Sequence, residues 1–504
     1  MLVEHGGSFV LTHPNILLIT TDQQRWDCLG MVGAGHPVMT PHLDQLAAEG
    51  IRFRRAYSDC PICIPARTTI MTGLSADRHG LANMSETAKP FPEASHRTLP
   101  GRLTAAGYQT HAAGKMHFTP ARARYGFERM RLLPEDYVNW LEGTPYAGMY
   151  RGHGLGGNEV YPAFASTPVQ YTQTHWIVNE SIDFLRQRDP HAPFFMWTSF
   201  ETPHPPFDPP ESYVRLYDGI DIPKPSVGDW SRDAEDKVPR WITNVRWSRK
   251  LDQLPEAVVQ AARKHYYAQI THIDYELGRL LGELNSQGIA QDTIILFTSD
   301  HGEMLGDHGL FHKTAFYEPS AGVPFILRIP KAFLQARYPA YAAGRVFERG
   351  AQLADIYPTL LDLAGVWSEE EQSERDGCSL LRMDESELEE RWLFGYVEER
   401  DGLFMAANVK WKYLYYVDGG FEQLFNLEQD PLELHNLAAD TRPECGAMLN
   451  ECRHQLRERF PAWRDDDNAT TGLRATDKPL REERQVKAAN PFAWRGPIRY
   501  GKGY

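Results

Sequence analysis

The sequence predicts an α/β protein: a large, mixed and mostly parallel central sheet flanked by helices, followed by a smaller C-terminal antiparallel sheet with a helix. Three observations lead there. Continuously apolar runs stop abruptly at polar residues, helix-like stretches lie between those runs, and short aromatic segments take over after Glu390. Unbroken apolarity marks a strand covered on both faces, and strands alternating with helices mark a parallel sheet.

Taken in order, Pro14–Thr21 (PNILLITT) is the first such run and stops at Asp22, Gln23 and Gln24. Thr40-Pro41, HLDQLAAE and Gly50 supply an N-cap, a proline at the first helical position and a closing glycine around a short helix. Residues 174–187 and 256–286 have helical spacing, the second ending at Gly288. Pro193–Phe200 (PFFMWTSF) runs into Glu201 and His204, Thr293–Thr298 (TIILFT) into Asp300 and His301, and Val323–Ile329 is a fourth strand. Ala351–Ala364 reads as a helix bent at Pro358 and closed by Gly365. Function in such sheets lies beyond the carboxyl ends of the strands, and three of these ends carry acid, amide or histidine.

The C-terminal texture differs. WLFGYV, LFMAANV, KWKYLYYV, Asp418-Gly419-Gly420 and FEQLFNL read as antiparallel hairpins, closed by a helix near 441–459. The acidic stretch Ser368–Arg375 reads as a solvated linker. These signals divide the chain at 1–390, 391–463 and 464–504, the last being either a loosely ordered tail or an arm on a neighbouring subunit.

Composition excludes several classes. Lys+Arg 53 against Asp+Glu 67 gives −14, which disfavours nucleic acid and anionic membrane surfaces as partners. No run approaches the ~18 apolar residues of a membrane span. The opening MLVEHGGSFVLTHP lacks the basic and apolar regions of a secretion signal, so a cytoplasmic location is expected. Cys28, Cys60, Cys63, Cys378, Cys445 and Cys452 are too sparse for a disulfide scaffold and agree with a reducing compartment.

Residues Ser58–Gly73 read SDCPICIPARTTIMTG, placing Cys63 at the start of a helix, where free N–H groups favour an anion. Two plainer readings stand beside this: a Cys60–Cys63 redox pair or half zinc site, with no second CxxC to complete it, and an ordinary buried thiol.

Cys63-Ile64-Pro65-Ala66-Arg67, with Thr72-Gly73 downstream, resembles the C-x-P-[SA]-R signature of the type I, formylglycine-dependent sulfatases of the alkaline phosphatase superfamily. The resemblance extends through the Asp22 strand end, TPHLDQLAAEGIRF, AGKMHF, ETPHPP, TSDHGEMLGDHG, HKTAFYE, LADIYPTLLDLAG and LFNLEQDPLELHNLA, in family order over most of the chain. It implies an alkaline phosphatase-like fold and an arylsulfatase-like enzyme hydrolysing sulfate monoesters. It further implies that a formylglycine-generating enzyme oxidises Cys63 to formylglycine, whose hydrated aldehyde carries two hydroxyls. One attacks sulfur as the alcohol leaves; loss of the other's proton re-forms the carbonyl and expels sulfate.

The resemblance also implies the site. Asp22, Gln23, Asp300 and His301, with an oxygen of modified Cys63, match the positions that hold one divalent metal ion. The commonest family pattern has aspartate where Gln23 stands and asparagine where His301 stands, so this softer set admits manganese beside calcium. Arg67 matches the residue that orients formylglycine, and Lys115 and Lys313 match the pair that grips sulfate oxygens. His117 matches the base for the second hydroxyl, and His204 the histidine beside the departing alcohol. His79, His308 and His312 stay outside this set, His308 as a loop-packing residue.

Two other functions remain in view. A phosphonate monoester or phosphodiester hydrolase on the same scaffold shares Ala66, Gln23 and His301. A binding protein that keeps the Cys63 thiol has no use for the acid/base pair. Segments Trp140–Tyr161 and Tyr213–Trp247 are expected to form the pocket rim, and Arg25 and Trp26, just past Asp22, can face substrate, Trp26 being more often a core residue. A sugar ring, an aryl group or a small quaternary amine all suit such a rim, and a small imported substrate and a homo-oligomer are expected.

Overall fold

The computed structural model describes residues 2–5, 8–11, 13–83, 89–231, 238–249, 251, 254–339, 341–383, 390–398 and 402–477. An antiparallel pair, β1 (Leu2–His5) and β2 (Ser8–Leu11), precedes the main sheet. That sheet comprises β3 (Asn15–Asp22), β4 (Ile51–Tyr57), β5 (Gln109–Gly114), β6 (Arg129–Leu132), β7 (Phe194–Pro203), β8 (Thr293–Ser299), β9 (Phe325–Arg328) and β10 (Arg345–Gln352). Its eight strands run in the order β10-β4-β9-β8-β3-β7-β5-β6. All neighbours pair in parallel except β9, which is antiparallel to both β4 and β8. The α/β, mixed and mostly parallel architecture expected from sequence is the one observed.

The unbroken apolar runs have a direct cause. In β3, Ile16 and Leu18 enter one core while Leu17 and Ile19 enter another on the opposite face. The first core receives Ala66 and Ile70 of helix Cys63–Thr72, Leu99 and Leu103 of helix Leu99–Ala105, and Ile356 and Leu360 of helix Ile356–Leu363. The second receives Leu43 and Leu46 of helix Pro41–Glu49, Trp176 and Ile177 of helix Gln173–Gln187, and Ile273 and Leu277 of helix Glu256–Ser286.

The second sheet is an antiparallel meander of β11 (Leu393–Val397), β12 (Leu403–Ala407), β13 (Trp411–Tyr416) and β14 (Phe421–Asn426). One face (Met405, Leu414, Tyr416, Phe425) packs on the main body, and the other (Phe404, Tyr413, Tyr415, Leu424) on Cys445, Leu449, Cys452 and Leu456 of helix Pro443–Arg459. Gly419 (φ 91°) and Gly420 (φ 60°) make the β13–β14 turn, a conformation other residues adopt only under strain.

Several sequence expectations change. The predicted helix over 351–364 begins later: Ala351 and Gln352 end β10, a tight turn spans Leu353–Asp355, and Pro358 falls in the first turn of Ile356–Leu363, where no bend is required. Gly50 has φ −116°, so it is not a left-handed cap; a Cβ there would stand 2.8 Å from the Leu327 carbonyl oxygen. The acidic linker contains a helical turn, Glu369–Gln372, and its Arg375 side chain is 3% exposed and paired with Glu93 at 2.9 Å. Strands β4, β5, β6 and β10 carry polar or small residues that mask the apolar signal. The start of the tail folds back on its own chain: Arg464 pairs with Leu473, Asp418 with Thr476, and Tyr415 OH donates to the Arg474 carbonyl at 3.0 Å. The remainder of the 464–504 segment, expected to be a tail or an inter-subunit arm, spans residues 478–504 and lies outside the described residues. Among the described residues no helix is long and apolar enough to cross a membrane.

Candidate active site

Four neighbouring parallel strands end at one place. In the order β8-β3-β7-β5, their carboxyl ends deliver Asp300 and His301, Asp22 and Gln23, Glu201 to His204, and Lys115. The register sets this alignment: Thr21 pairs with Ser299, Asp22 with Pro203, and Gly114 with Ser199. Helix Cys63–Thr72 points its N-terminus into the cluster with Cys63 as its first residue. Every residue of that helix is buried, which explains why its sequence shows no apolar stripe.

Cys63 Sγ lies 3.2 Å from His301 Nε2 and 3.7 Å from Asp22 Oδ1. Arg67 is fully buried one turn further along. Its Nε donates to Asp300 Oδ2 at 2.9 Å, its Nη1 to the Lys115 carbonyl at 2.7 Å and Ser199 Oγ at 2.8 Å, and its Nη2 to Asp22 Oδ2 at 3.4 Å. Lys115 Nζ meets the same Asp22 oxygen at 2.6 Å. Each carboxylate thus turns Oδ2 to the cations and Oδ1 toward His301 Nε2, 3.8 Å away for Asp22 and 3.7 Å for Asp300.

Gln23 is held on three sides. Its N–H donates to Asp300 Oδ1 at 3.0 Å, its carbonyl accepts from Tyr266 OH at 2.7 Å, and its side-chain Nε2 donates to Glu303 Oε2. Glu303 is itself fixed by the N–H groups of Leu305 and His312. Anchoring the amide nitrogen on a carboxylate turns Oε1 the other way, where it accepts from Lys313 Nζ at 2.6 Å. Gln23, His117, Leu305, His308, His312 and Thr314 all have positive φ, so backbone strain gathers in the loops around this site. Each such residue costs roughly 1–3 kcal/mol and persists because the buried network over-determines it.

The electrostatics favour negative charge at residue 63. Burial opposes it, but the ammonium groups of Lys313 and Lys115, then His301 and a hydrogen bond from His117, hold the Cys63 thiol well below its usual range. The two carboxyls diverge. Burial and Cys63 push Asp22 up, but Lys115, His204 and Arg67 bring it below the ordinary range; burial and the Asp22 charge raise Asp300. Burial, with Lys313 and Lys115, lowers His204 to about 4, and its Nδ1 contacts the Pro205 carbonyl at 2.8 Å.

The donors fit a divalent cation. Ligand atoms of Asp22, Cys63, Asp300 and His301 lie within 4.8 Å of one another, and the neighbouring Gln23 turns its amide oxygen to Lys313 Nζ. Two carboxylates, an imidazole and the group at position 63 form a donor set able to take a divalent ion.

Residues 14–366, well over half of the chain, match the Sulfatase family model. The chain belongs to the sulfatase family. Residues 306–461 of this sulfatase match the model of the N-sulphoglucosamine sulphohydrolase C-terminal region. It is 36% identical over 457 residues to an arylsulfatase of Clostridium perfringens (strain 13 / Type A), covering 84% of this chain and 90% of that one. It is 32% identical over 490 residues to a choline-sulfatase of Rhizobium meliloti (strain 1021), covering 93% and 89%. The crystal structure of a phosphonate monoester hydrolase of Agrobacterium radiobacter is similar with TM-score 0.73 at 28% identity, covering 92% and 100%. The sulfatase is therefore a sulfuric ester hydrolase of the alkaline phosphatase superfamily.

The structure gathers Asp22, Gln23, Cys63, Arg67, Lys115, His117, His204, Asp300, His301 and Lys313 around one point. Sequence reasoning missed Ser199 and Glu303, which position Arg67 and Gln23; both sit inside or beside quoted motifs, but only the fold shows what they face. His308 packs against Trp230 and Tyr317, as expected of a loop residue. Arg25 does not face substrate: it is buried against Asp27 at 2.7 Å and Asp307 at 2.8 Å. Cys60 Sγ donates to the Ala82 carbonyl, and none of the six cysteines forms a disulfide. Of the expected rim, Tyr150 and Arg151 reach Glu201 beside the site.

Proposed function

We propose that this sulfatase hydrolyses a small sulfate monoester through formylglycine formed from Cys63, with one calcium or manganese ion held by Asp22, Gln23, Asp300, His301 and an oxygen of residue 63. The observation that carries the reading is the environment of Cys63: a helix N-terminus enclosed by Lys115, Lys313, His117 and His301, which favours an anion. A site that stabilises a thiolate also stabilises an ionised hydroxyl in its place. A hydrated aldehyde there supplies one hydroxyl to attack sulfur and a second whose deprotonation releases sulfate. When bound by these residues, the ion would supply positive charge that lowers the pKa of the hydroxyl on residue 63 and offsets the charge of the sulfate group.

The chain's own residues do the rest. Arg67 holds Asp22 and Asp300 in place and orients residue 63. Lys115 and Lys313 bracket the sulfate and offset its charge as the S–O bond breaks. His117 takes the proton of the second hydroxyl, and His204 gives one to the departing alcohol oxygen. An arriving sulfate ester brings negative charge that offsets the two ammonium groups holding His204 neutral. A formylglycine-generating enzyme is required for maturation, the absence of disulfides supports a cytoplasmic setting, and a homo-oligomer is proposed through the tail.

The mass of the tryptic peptide containing residue 63 tests the reading: an aldehyde replaces the thiol in active protein. An unmodified thiol in fully active protein sinks it. The similarity to a phosphonate monoester hydrolase and the Gln23/His301 donors support a second reading, phosphonate monoester or phosphodiester hydrolysis. Relative kcat/KM on aryl sulfate and aryl phosphonate esters separates the two.

A further inference from the structure

In this structure residue 63 carries its sulfur, and the sulfur stands among three other donors. Cys63 Sγ lies 3.2 Å from His301 Nε2 and 3.7 Å from Asp22 Oδ1, and His301 Nε2 lies 3.8 Å from Asp22 Oδ1 and 3.7 Å from Asp300 Oδ1. A tetrahedral ion with bonds of about 2.3 Å to sulfur and about 2.0–2.2 Å to nitrogen and oxygen sets donor pairs about 3.3–3.7 Å apart. The four separations match that range closely, and no pair in the set is more than 4.8 Å apart. The Gln23 amide oxygen is turned to Lys313 Nζ at 2.6 Å, so the set closes at these four.

The surrounding bonds aim each donor inward. His301 Nδ1 meets the Gly302 carbonyl at 3.0 Å; a carbonyl only accepts, so Nδ1 carries the proton and Nε2 turns a lone pair to the sulfur. Lys115 and Arg67 hold Asp22 Oδ2, and Arg67 holds Asp300 Oδ2, which leaves both Oδ1 atoms on the inner side. Asp300 Oδ1 is fixed there by the N–H groups of Gln23 at 3.0 Å and His301 at 2.9 Å, as ligating carboxylates commonly are. Among the described residues a second grouping, Asp27, Cys28 and His36, is not equivalent. The Arg25 guanidinium takes both Asp27 oxygens, at 2.8 and 2.7 Å, and its charge opposes a cation.

We propose that the folded chain with Cys63 still a thiol binds one zinc ion through Cys63 Sγ, His301 Nε2, Asp22 Oδ1 and Asp300 Oδ1, and that oxygen in place of sulfur at residue 63 removes this preference. A thiolate and an imidazole select zinc, whereas calcium takes about six to eight oxygens. Four protein donors fill a tetrahedral zinc ion, so no position on it remains for a sulfate ester. The unmatured chain is thereby a closed zinc protein, and maturation changes the metal the site prefers by changing one donor. The thiol site rests on the distances alone; the change of preference in the mature enzyme rests on the formylglycine reading.

The test takes the full chain with residue 63 unconverted, established by peptide mass, beside the converted chain and Cys63→Ser. Zinc K-edge X-ray absorption of the unconverted chain is expected to show one sulfur and three nitrogen or oxygen neighbours. Cobalt(II) in place of zinc is expected to give a thiolate-to-cobalt charge-transfer band that saturates at one ion per chain and is lost when zinc is added. In chelator competition, zinc affinity is expected to be at least about 100-fold lower in Cys63→Ser and in the converted chain. Loss of a ligand outweighs loss of a ligand's hydrogen-bond partner, which alone costs about 10- to 100-fold. A zinc shell without sulfur, a band that survives Cys63→Ser, or equal zinc affinity in the thiol chain and either oxygen-bearing one overturns the proposal and leaves the sulfatase reading intact. A thiol at residue 63 in fully active protein overturns the sulfatase reading and, with it, the change of preference on maturation.

Discussion

Lys412 offers the most direct test of how the second sheet serves the site. It lies in β13, fully buried, with Nζ 2.5 Å from Glu318 Oε1 and 3.0 Å from Glu433 Oε1 and donating to the Phe316 carbonyl at 2.8 Å. Glu433 Oε2 accepts from the Glu318 N–H at 2.7 Å, and Tyr57 OH donates to Glu318 Oε1 at 2.6 Å. This knot grips the segment that follows Lys313. Lys412→Met removes the ammonium and leaves two buried carboxyls facing each other, a change that costs about 3–5 kcal/mol. With unfolding entropy near 2.1 cal/mol/K per residue, a chain of this length loses roughly 3–5 °C in midpoint.

The deficit depends on pH in a defined direction. Burial and the Glu318 charge raise Glu433 to about 7, above its value of 4.5 when unperturbed. Its protonated form therefore stabilises the fold fully below about pH 4.5, and that contribution is lost as pH rises through 7. In the variant a proton on Glu433 substitutes for the missing ammonium, so the deficit is small at pH 6 and largest at pH 8. Scanning calorimetry at both values reads this, and kcat/KM on an aryl sulfate is expected to fall about tenfold as Lys313 loses its support. Adding Glu433→Gln recovers most of the midpoint. An unchanged midpoint at pH 8, or an equal loss at both values, refutes the reasoning.

Three further outcomes follow. Lys115→Ala and Lys313→Ala are each expected to lower kcat/KM by about 100- to 1000-fold in steady-state assays, the usual loss for one oxyanion-stabilising group. Chelation is expected to abolish turnover and lower the melting midpoint, because Asp22 and Asp300 are buried like charges with Oδ1 atoms turned to one point; elemental analysis of the untreated enzyme should find one calcium or manganese per chain. Asp274 accepts the N–H groups of His42 and Leu43, and burial raises it to about 7. Its protonated form stabilises the fold at low pH, so the advantage of wild type over Asp274→Asn is expected to shrink from pH 4 to pH 8, on the order of 4 kcal/mol at most, read by urea unfolding.

Much of this protein was legible before folding. The runs at Pro14–Thr21, Pro193–Phe200 and Thr293–Thr298 announce themselves because their strands are covered on both faces, which demands apolar residues at every position. Strands β4 and β5 escape notice for the opposite reason: Arg52, Arg54 and Arg55 interrupt one, and small residues thin out the other. The Cys63 motif is local, set by one helix turn, and so survives as a string. Ser199 and Glu303 carry no such string, since each acts through a residue more than 100 positions away.

By itself the sequence determined the layers of the fold and the family, because periodicity and short motifs are properties of neighbouring residues. Only the tertiary structure decided which oxygen of each carboxylate is spent on Arg67 and which faces His301, and how Glu303 turns the Gln23 amide. Those are matters of direction in space, and direction is settled when distant segments pack, not when they are joined.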